Sequence, residues 1–328
     1  MRSFRREPMS MSDDLISISK QMQQINDAFN KVIQPYRSTL WNYCLKLTGS
    51  PWDAEDLLQE TLLKSFSSLS RIEQALNPKS YIFRIATNTW MDSIRKNKLE
   101  TEELETENTY AEKSVSYSDI YDAIETMVQV LPPKQTSVLL LVDIYNFTAK
   151  EVAEIIASTE GAVYSLLQRA RNNMKKLHSQ HTKEELKHIP LSGEKKQVIK
   201  KYMDSFVKGD FQTIGTLLAE YATNEVVGKG LDIGKDQIRK NSMGDWASGG
   251  TKQNLSSSFI ELWGKGAIVF TKETESGPVL WDITTVEIND NYIVKHRSFY
   301  FCKDLLLRAA NKLQIKLDED KELYGYNW

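Results

Sequence analysis

Cysteine is nearly absent from this chain. Cys44 and Cys302 are the only two in 328 residues, far apart and outside any CxxC or Cys/His spacing. That excludes a disulfide framework and a cysteine-based zinc site, and it fits a reducing compartment. No run of roughly 18 apolar residues occurs, so a membrane-spanning helix is not expected. The basic segment Met1 to Pro8 has no apolar stretch behind it, so it does not read as a secretory signal, and a cytoplasmic location is the expectation. Excess positive charge is also missing. The formal net charge is −2, which argues against a protein that coats nucleic acid by charge alone, although a basic surface can sit inside a neutral total. Internal repeats are not evident, and neither a metal nor a cofactor is expected.

What is present is an ordinary globular balance, 41% hydrophobic and 26% charged, in a chain long enough for two or three packed domains. The periodicity divides it. Residues 1–14 read as a flexible arm. From 15 to 98 apolar side chains recur at three and four, with Phe29, Ile33, Tyr36, Leu40, Cys44 and Leu47 on one helical stripe that Pro35 could kink. Gly49-Ser50-Pro51 ends that helix and starts another, with Ser50 as cap and Pro51 at the first helical position. Residues 99–118 lose the apolar period and carry Glu100, Glu102, Glu103, Glu105, Glu107 and Glu112, an acidic linker. A second helical block spans 119–180, a polar linker 181–193, and a third domain 194–328. In this last domain helices are expected around Val198 to Phe206 and from Phe211 to Tyr221. Strands are expected at Ser257 to Trp263, Ala267 to Thr271, Val279 to Ile288 and Tyr292 to Phe301. The fold class is therefore multidomain, two all-α units followed by an α+β domain.

The helix opening at Pro51 buries Ala54, Leu57, Leu58, Thr61, Leu62, Phe66 and Leu69 by its spacing, leaving Asp56, Gln59, Glu60, Leu63 and Lys64 outside. A bland reading makes this a solvated face, with Asp53, Glu55 and Asp56 supporting the helix dipole. The run from Asp53 to Thr61, however, resembles the region 2 signature of extracytoplasmic-function (ECF) sigma factors of the sigma-70 family. The resemblance implies that Asp56, Gln59 and Glu60 dock on the clamp helices of core RNA polymerase. A rigid row of acceptors suits basic partner side chains through charge-assisted hydrogen bonds.

The next helix, Ser80 to Arg95, buries Ile82, Ile85, Ala86 and Thr89 by its period. It is similar to the family segment used on the melted minus-10 promoter element, with Tyr81 where Trp is usual and with Asn88, Asp92 and Arg95 matching. Asn88 can donate to and accept from an unstacked base edge, and Arg84, Arg95 and Lys96 can meet bases and phosphates. Tyr81 and Trp90 read equally well as core aromatics, and Asp92 with Arg95 as a local pair.

In the second block Thr148 and Glu151 have capping-box spacing, and Ala157-Ser158-Thr159 turns into a helix near Glu160, a helix-turn-helix layout. Val163, Leu167 and Ala170 would pack inward, freeing Tyr164, Ser165, Gln168, Arg169 and Asn172 for a DNA groove. The stretch Glu160 to Arg171 resembles the region 4 recognition helix, which reads the minus-35 element, so Tyr164, Ser165, Gln168, Arg169 and Arg171 are the candidates. It departs from the family at Tyr164 and Leu166, where basic residues are common. Contacts from Arg169, Arg171, Lys175 and Lys176 to phosphates would give a logarithmic salt slope of roughly −3.6. The partners implied are core RNA polymerase and promoter DNA.

The third domain is similar at its opening to SnoaL-like cone-shaped α+β domains, which fold a sheet around a helix and leave a pocket. In a few sigma families such a domain stands in for a separate anti-sigma protein, implying regulation here and a possible small-molecule ligand. The Gly-rich DGGGK segment of some of those families is absent. Asp282 and His296 alternate with apolar residues on late strands and are the pocket candidates. An Asp/His pair can do acid–base work, yet catalysis is not expected, and Trp263, Trp281, Phe299 and Phe301 read as core. The competing reading is a polymerase-independent helix-turn-helix regulator fused to a ligand-sensing or enzymatic domain.

Overall fold

The computed structural model describes residues 13–69, 77–104, 131–177, 193–249 and 254–318. The first unit contains α1 (Asp13–Thr48), α2 (Pro51–Ser68) and α3 (Pro78–Leu104). Helix α1 runs through Pro35 without interruption. Gly49 turns the chain at φ 69°, and Ser50 then accepts a hydrogen bond from the Asp53 amide at 3.4 Å, with Pro51 behind it as expected. The expected stripes meet in one core, where Leu40, Cys44, Leu58, Ile82 and Ala86 are fully enclosed. Helix α3 does not stop at 98 but continues through Leu104 into the acidic segment. Glutamate is a good helix former, so loss of the apolar period there does not end the helix. The remainder of the acidic linker, and the helix expected to open near Asp119, lie outside the described residues.

The second unit comprises α4 (Pro133–Leu139), which runs into a π-helical turn (Leu140–Ile144), then α5 (Ala149–Ile155) and α6 (Glu160–Leu177). Thr148 and Glu151 form the expected reciprocal capping box. Ala157 takes φ 50° in the turn before α6. Val163, Leu167 and Ala170 are buried, as their spacing predicts. This unit rests on the first: Tyr145 packs edge-on to Tyr43 at 5.3 Å, and Phe147 lies 5.1 Å from Phe83. Lys79 of α3 donates to the Tyr145 carbonyl at 3.0 Å and sits over the Phe147 ring at 4.4 Å.

The third domain opens with α7 (Gly193–Lys208) and α8 (Phe211–Leu217), then β1 (Leu218–Val226), β2 (Gly230–Ile233), α9 (Lys235–Lys240) and α10 (Ser242–Gly249). It continues with β3 (Leu255–Leu262), β4 (Lys265–Thr274), β5 (Gly277–Asn289), β6 (Tyr292–Ser298), α11 (Lys303–Leu313) and β7 (Lys316–Leu317). The strands form one sheet in the order β2-β1-β6-β5-β4-β3, with β7 beside β5. Pairing is antiparallel except for β1 with β6 and β5 with β7. The helix expected over Phe211 to Tyr221 ends at Leu217, because the next residues pair with both β2 and β6, and tertiary pairing overrides their helical propensity. The strand alternation sorts two cores. Ile268 and Phe270 face α7 and α8, whereas Ala267, Val269, Leu280, Ile283 and Phe299 join α11 and the core of the first unit. Among the described residues no helix is long and apolar enough to cross a membrane.

Candidate functional site

Three helix faces and one pocket carry the candidate residues. On α3, Asn88, Arg95 and Lys96 are exposed and Arg84 is half-buried, with Arg95 paired to Asp92 at 3.0 Å. Tyr81 and Trp90 are buried. The Tyr81 hydroxyl donates to the Ser65 carbonyl at 2.7 Å, so Tyr81 follows the core reading. On α6, Tyr164, Ser165, Gln168 and Arg169 share an open face. Arg171 is held in a two-pronged bond to Asp143, at 2.6 and 3.0 Å. That hydrogen bond raises the arginine's already high pKa further.

The α2 face is different, because the third domain sits against it. Arg297 of β6 donates Nη2 to Asp56 at 2.6 Å and Nε to Glu225 of β1 at 2.6 Å. Burial opposes its charge, but the two carboxylates outweigh that effect and hold the guanidinium protonated. The Trp52 indole donates to the Leu262 carbonyl at 3.1 Å, and its ring lies 5.3 Å from Trp263 and 5.0 Å from Phe299. Trp263 has φ 48° in the two-residue turn between β3 and β4, followed by Gly264 at φ 74°. A left-handed tryptophan stores strain of roughly 1–2 kcal/mol, sustained here by its packing on Trp52. Gln59 donates to Glu55 at 2.6 Å, and Glu60 pairs with Lys64 at 2.7 Å.

Glu55 corrects the sequence reading. It is not a solvated residue of the first turn but 1% exposed, accepting from the Trp41 indole at 2.9 Å and lying near Cys302 of the third domain, whose thiol feels its charge. Burial raises its pKa, and burial together with the Glu55 charge raises that of Cys302. Trp52, Glu55 and Arg297 were missed because each needs a partner over 200 positions away or a domain contact. A partial signal existed for Arg297, since strand alternation puts it on the face opposite His296 and Ser298.

Behind β6 lies a cavity of about 520 Å³ between the sheet, α7 and α10. Asp282 and His296 both line it, as do Trp281 and Phe301; Phe299 instead faces α2, and Trp263 sits at the α2 contact rather than in the domain core. The Asp282 carboxylate accepts from Ser298 Oγ at 2.8 Å and from the Ile283 amide at 2.7 Å. His296 Nε2 lies 2.6 Å from the Tyr202 hydroxyl, while its Nδ1 is buried without a hydrogen-bond partner. Burial pushes the His296 pKa down to about 3, so the imidazole is neutral at physiological pH.

The two helical units point to a class. Residues 32–100 match Sigma-70 region 2 and residues 121–174 match Sigma-70, region 4, so two segments of the chain resemble the two regions of the sigma-70 family, in order. More particularly, it is similar to the ECF RNA polymerase sigma factor SigG of Mycobacterium tuberculosis, 29% identical over 227 residues, covering 60% of this chain and 61% of that one. The chain thus spans about three fifths of that relative. It is also similar to SigW of Bacillus subtilis, 25% identical over 178 residues and covering 48% of this chain and 95% of SigW. The crystal structure of the M. tuberculosis ECF sigma factor SigJ aligns over 83% of this chain and 95% of its own, at 17% identity and a TM-score of 0.33.

Proposed function

We propose that this protein is a sigma factor: it binds core RNA polymerase through α2, engages minus-10 single strand through α3 and minus-35 duplex through α6. Its C-terminal domain regulates it by covering α2. No catalytic role is assigned to that domain, and a polymerase partner places the protein in the cytoplasm. The reading rests on one observation. In a chain matching both sigma regions, the side chains suited to polymerase and promoter lie on the outer faces of helices whose opposite faces are packed. Asp56, Gln59 and Glu60 form the proposed polymerase contact, Arg84, Asn88, Arg95 and Lys96 the minus-10 set, and Tyr164, Ser165, Gln168, Arg169 and Arg171 the minus-35 set. Arg171 must leave Asp143 to take part.

The described arrangement is a closed one. The two promoter elements are by their names about 25 base pairs apart, roughly 85 Å of duplex at ~3.4 Å per pair. Asn88 is about 7.5 Å along α3 from Phe83, and a unit the size of α4 to α6 is roughly 25 Å across. Two units touching at Phe83 and Phe147 therefore fall short of that span and must separate before both elements are read. Arg297 on Asp56 likewise occupies part of the surface proposed for polymerase, and the contact of Trp52 with Trp263 lies one turn before it.

Purified protein added to core polymerase should support promoter-specific run-off transcription. Absence of any core binding, including by a variant in which Arg297 is replaced, would sink the proposal and favour a polymerase-independent regulator. Such a regulator has no need of the α2 face.

A further inference from the structure

The open side of α6 is not uniform. Val163, Leu167 and Ala170 are buried, and at about 100° per residue Gly161, Ser165, Gln168 and Asn172 fall within about 60° of one another on the opposite side. All four are exposed. They form a row down the middle of the face, with Tyr164 on one flank and Arg169 on the other.

The row is low at its start. A Cβ at Gly161 would meet no atom within 4 Å, so internal packing does not demand glycine there, and glycine is a poor helix former. The Ser165 hydroxyl folds back to donate to the Gly161 carbonyl at 3.0 Å. This end of the helix can therefore come close to a partner's surface. Farther along, Gln168 and Asn172 present primary amides that have no hydrogen-bond partner among the described residues. The cations stand aside from the row. Arg171 is held by Asp143, and Arg169 lies about 70° from the middle of the row.

Those positions decide which base edges the face can read in a major groove. A primary amide donates and accepts in one plane, which matches adenine N7 and N6–H2; guanine offers two acceptors there and matches Arg or Lys. Gln168 and Asn172 are separated by about 6 Å along the axis, close to two base-pair steps at ~3.4 Å each. Tyr164, exposed one turn before Gln168, has a ring that can cover a thymine methyl.

We propose that Gln168 and Asn172 are the specificity-determining residues of α6, each reading the adenine of an A·T pair, the two pairs lying about two steps apart. Tyr164 packs on a thymine methyl, and Arg169 meets a phosphate. The inference rests on the proposed role of α6 in duplex binding and adds Asn172 to it. It also separates two tasks on one helix, with base choice made by neutral amides and the salt-dependent part of affinity by the flanking cation.

The test selects duplexes from a randomised library with the full chain, then titrates the selected sequence and its single-pair variants by fluorescence anisotropy at several salt concentrations. Wild type should select two A·T pairs about two steps apart and lose about tenfold in affinity when either becomes G·C. Gln168→Ala should abolish the preference at one of these pairs and Asn172→Ala at the other, each with an unchanged salt slope and melting temperature. Gln168→Arg should turn the preference at its pair from adenine to guanine, which a merely structural role for Gln168 would not produce. Selection of duplexes without an A·T preference, or with one that both alanine variants retain, overturns the assignment and leaves the role of α6 in duplex binding standing. No duplex binding by the wild-type chain, with or without core polymerase, overturns that role as well.

Discussion

Helices α2 and α6 are each 18 residues long, both amphipathic, and both suited on their outer faces to a macromolecular partner, yet the structure treats those faces oppositely. On α6 the outward side is open, with Tyr164 61% exposed. On α2 the outward side is held by the third domain, through Arg297 on Asp56 and the Trp52 contact. The closed state therefore engages Asp56, one of the three residues proposed for polymerase, and leaves the face proposed for duplex DNA free. On the proposed function, regulation of this kind acts before promoter recognition, on whether a holoenzyme forms rather than on which sequence it prefers.

The largest test of this contrast is Trp52→Ala. Removing a 1% exposed indole that joins two domains should cost about 3–5 kcal/mol of stability in denaturant melts. Tyr164→Ala on the open face of α6 should change it by no more than about 0.5 kcal/mol. Equal effects would show that the α2 contact is not a packed interface in solution.

Acid offers the next test. The folded pKa of His296 is pushed down to about 3 from an ordinary value near 6.5. Between these values the unfolded chain binds the proton and the folded chain does not, so stability falls as pH falls. From pH 6.5 to 5 the loss reaches about 2 kcal/mol. Glu55 opposes it: its raised pKa favours the protonated form in the folded state, so its contribution is full at low pH and is lost as pH rises through the folded value. Urea melts of wild type should weaken across this window, and His296→Gln should flatten or reverse the trend. An unchanged slope in that variant would remove His296 as its source.

Much of this contrast is not visible in the sequence. The helical period identified α1, α2 and α6 and their packed faces, because Val163, Leu167 and Ala170 need only local spacing to be sorted inward. The start of α2 was legible for the same reason, since Ser50 and Pro51 act within one turn. The pocket candidates Asp282 and His296 followed from strand alternation alone. What was not legible is the joining of units. Glu55 reads as a solvated first-turn acid until Cys302 and Trp41 enclose it, and Trp263 reads as core until its turn is seen against Trp52. Strand β1 was read partly as helix because its first residue, Leu218, pairs with Ile293, far along the chain.

Arg297→Ala comes next in size. An exposed ion pair contributes ~0.2–1 kcal/mol, and breaking a buried one costs ~3–5 kcal/mol. With Arg297 16% exposed and Asp56 47% exposed, a value of about 1–2 kcal/mol between them is expected, roughly a tenfold rise in core polymerase affinity. Binding to a minus-35 duplex in the absence of polymerase should not change. A fall in core affinity would mean that Arg297 helps to build the polymerase surface rather than to cover it.

The smallest effect is expected on the open side, from Arg169→Ala. Arg169 is exposed on α6, and no rearrangement of the third domain is needed to free it. Loss of one phosphate contact should reduce the magnitude of the logarithmic salt slope of duplex binding by ~0.9, measured by titration at several salt concentrations. Core affinity should stay at the wild-type level, because α6 and the covered face of α2 share no contact through this residue. Combined with Arg297→Ala, the two changes should add, one in core binding and one in the salt slope. Coupling between them would show that the open and covered faces are linked, and the division of labour between α2 and α6 would fail.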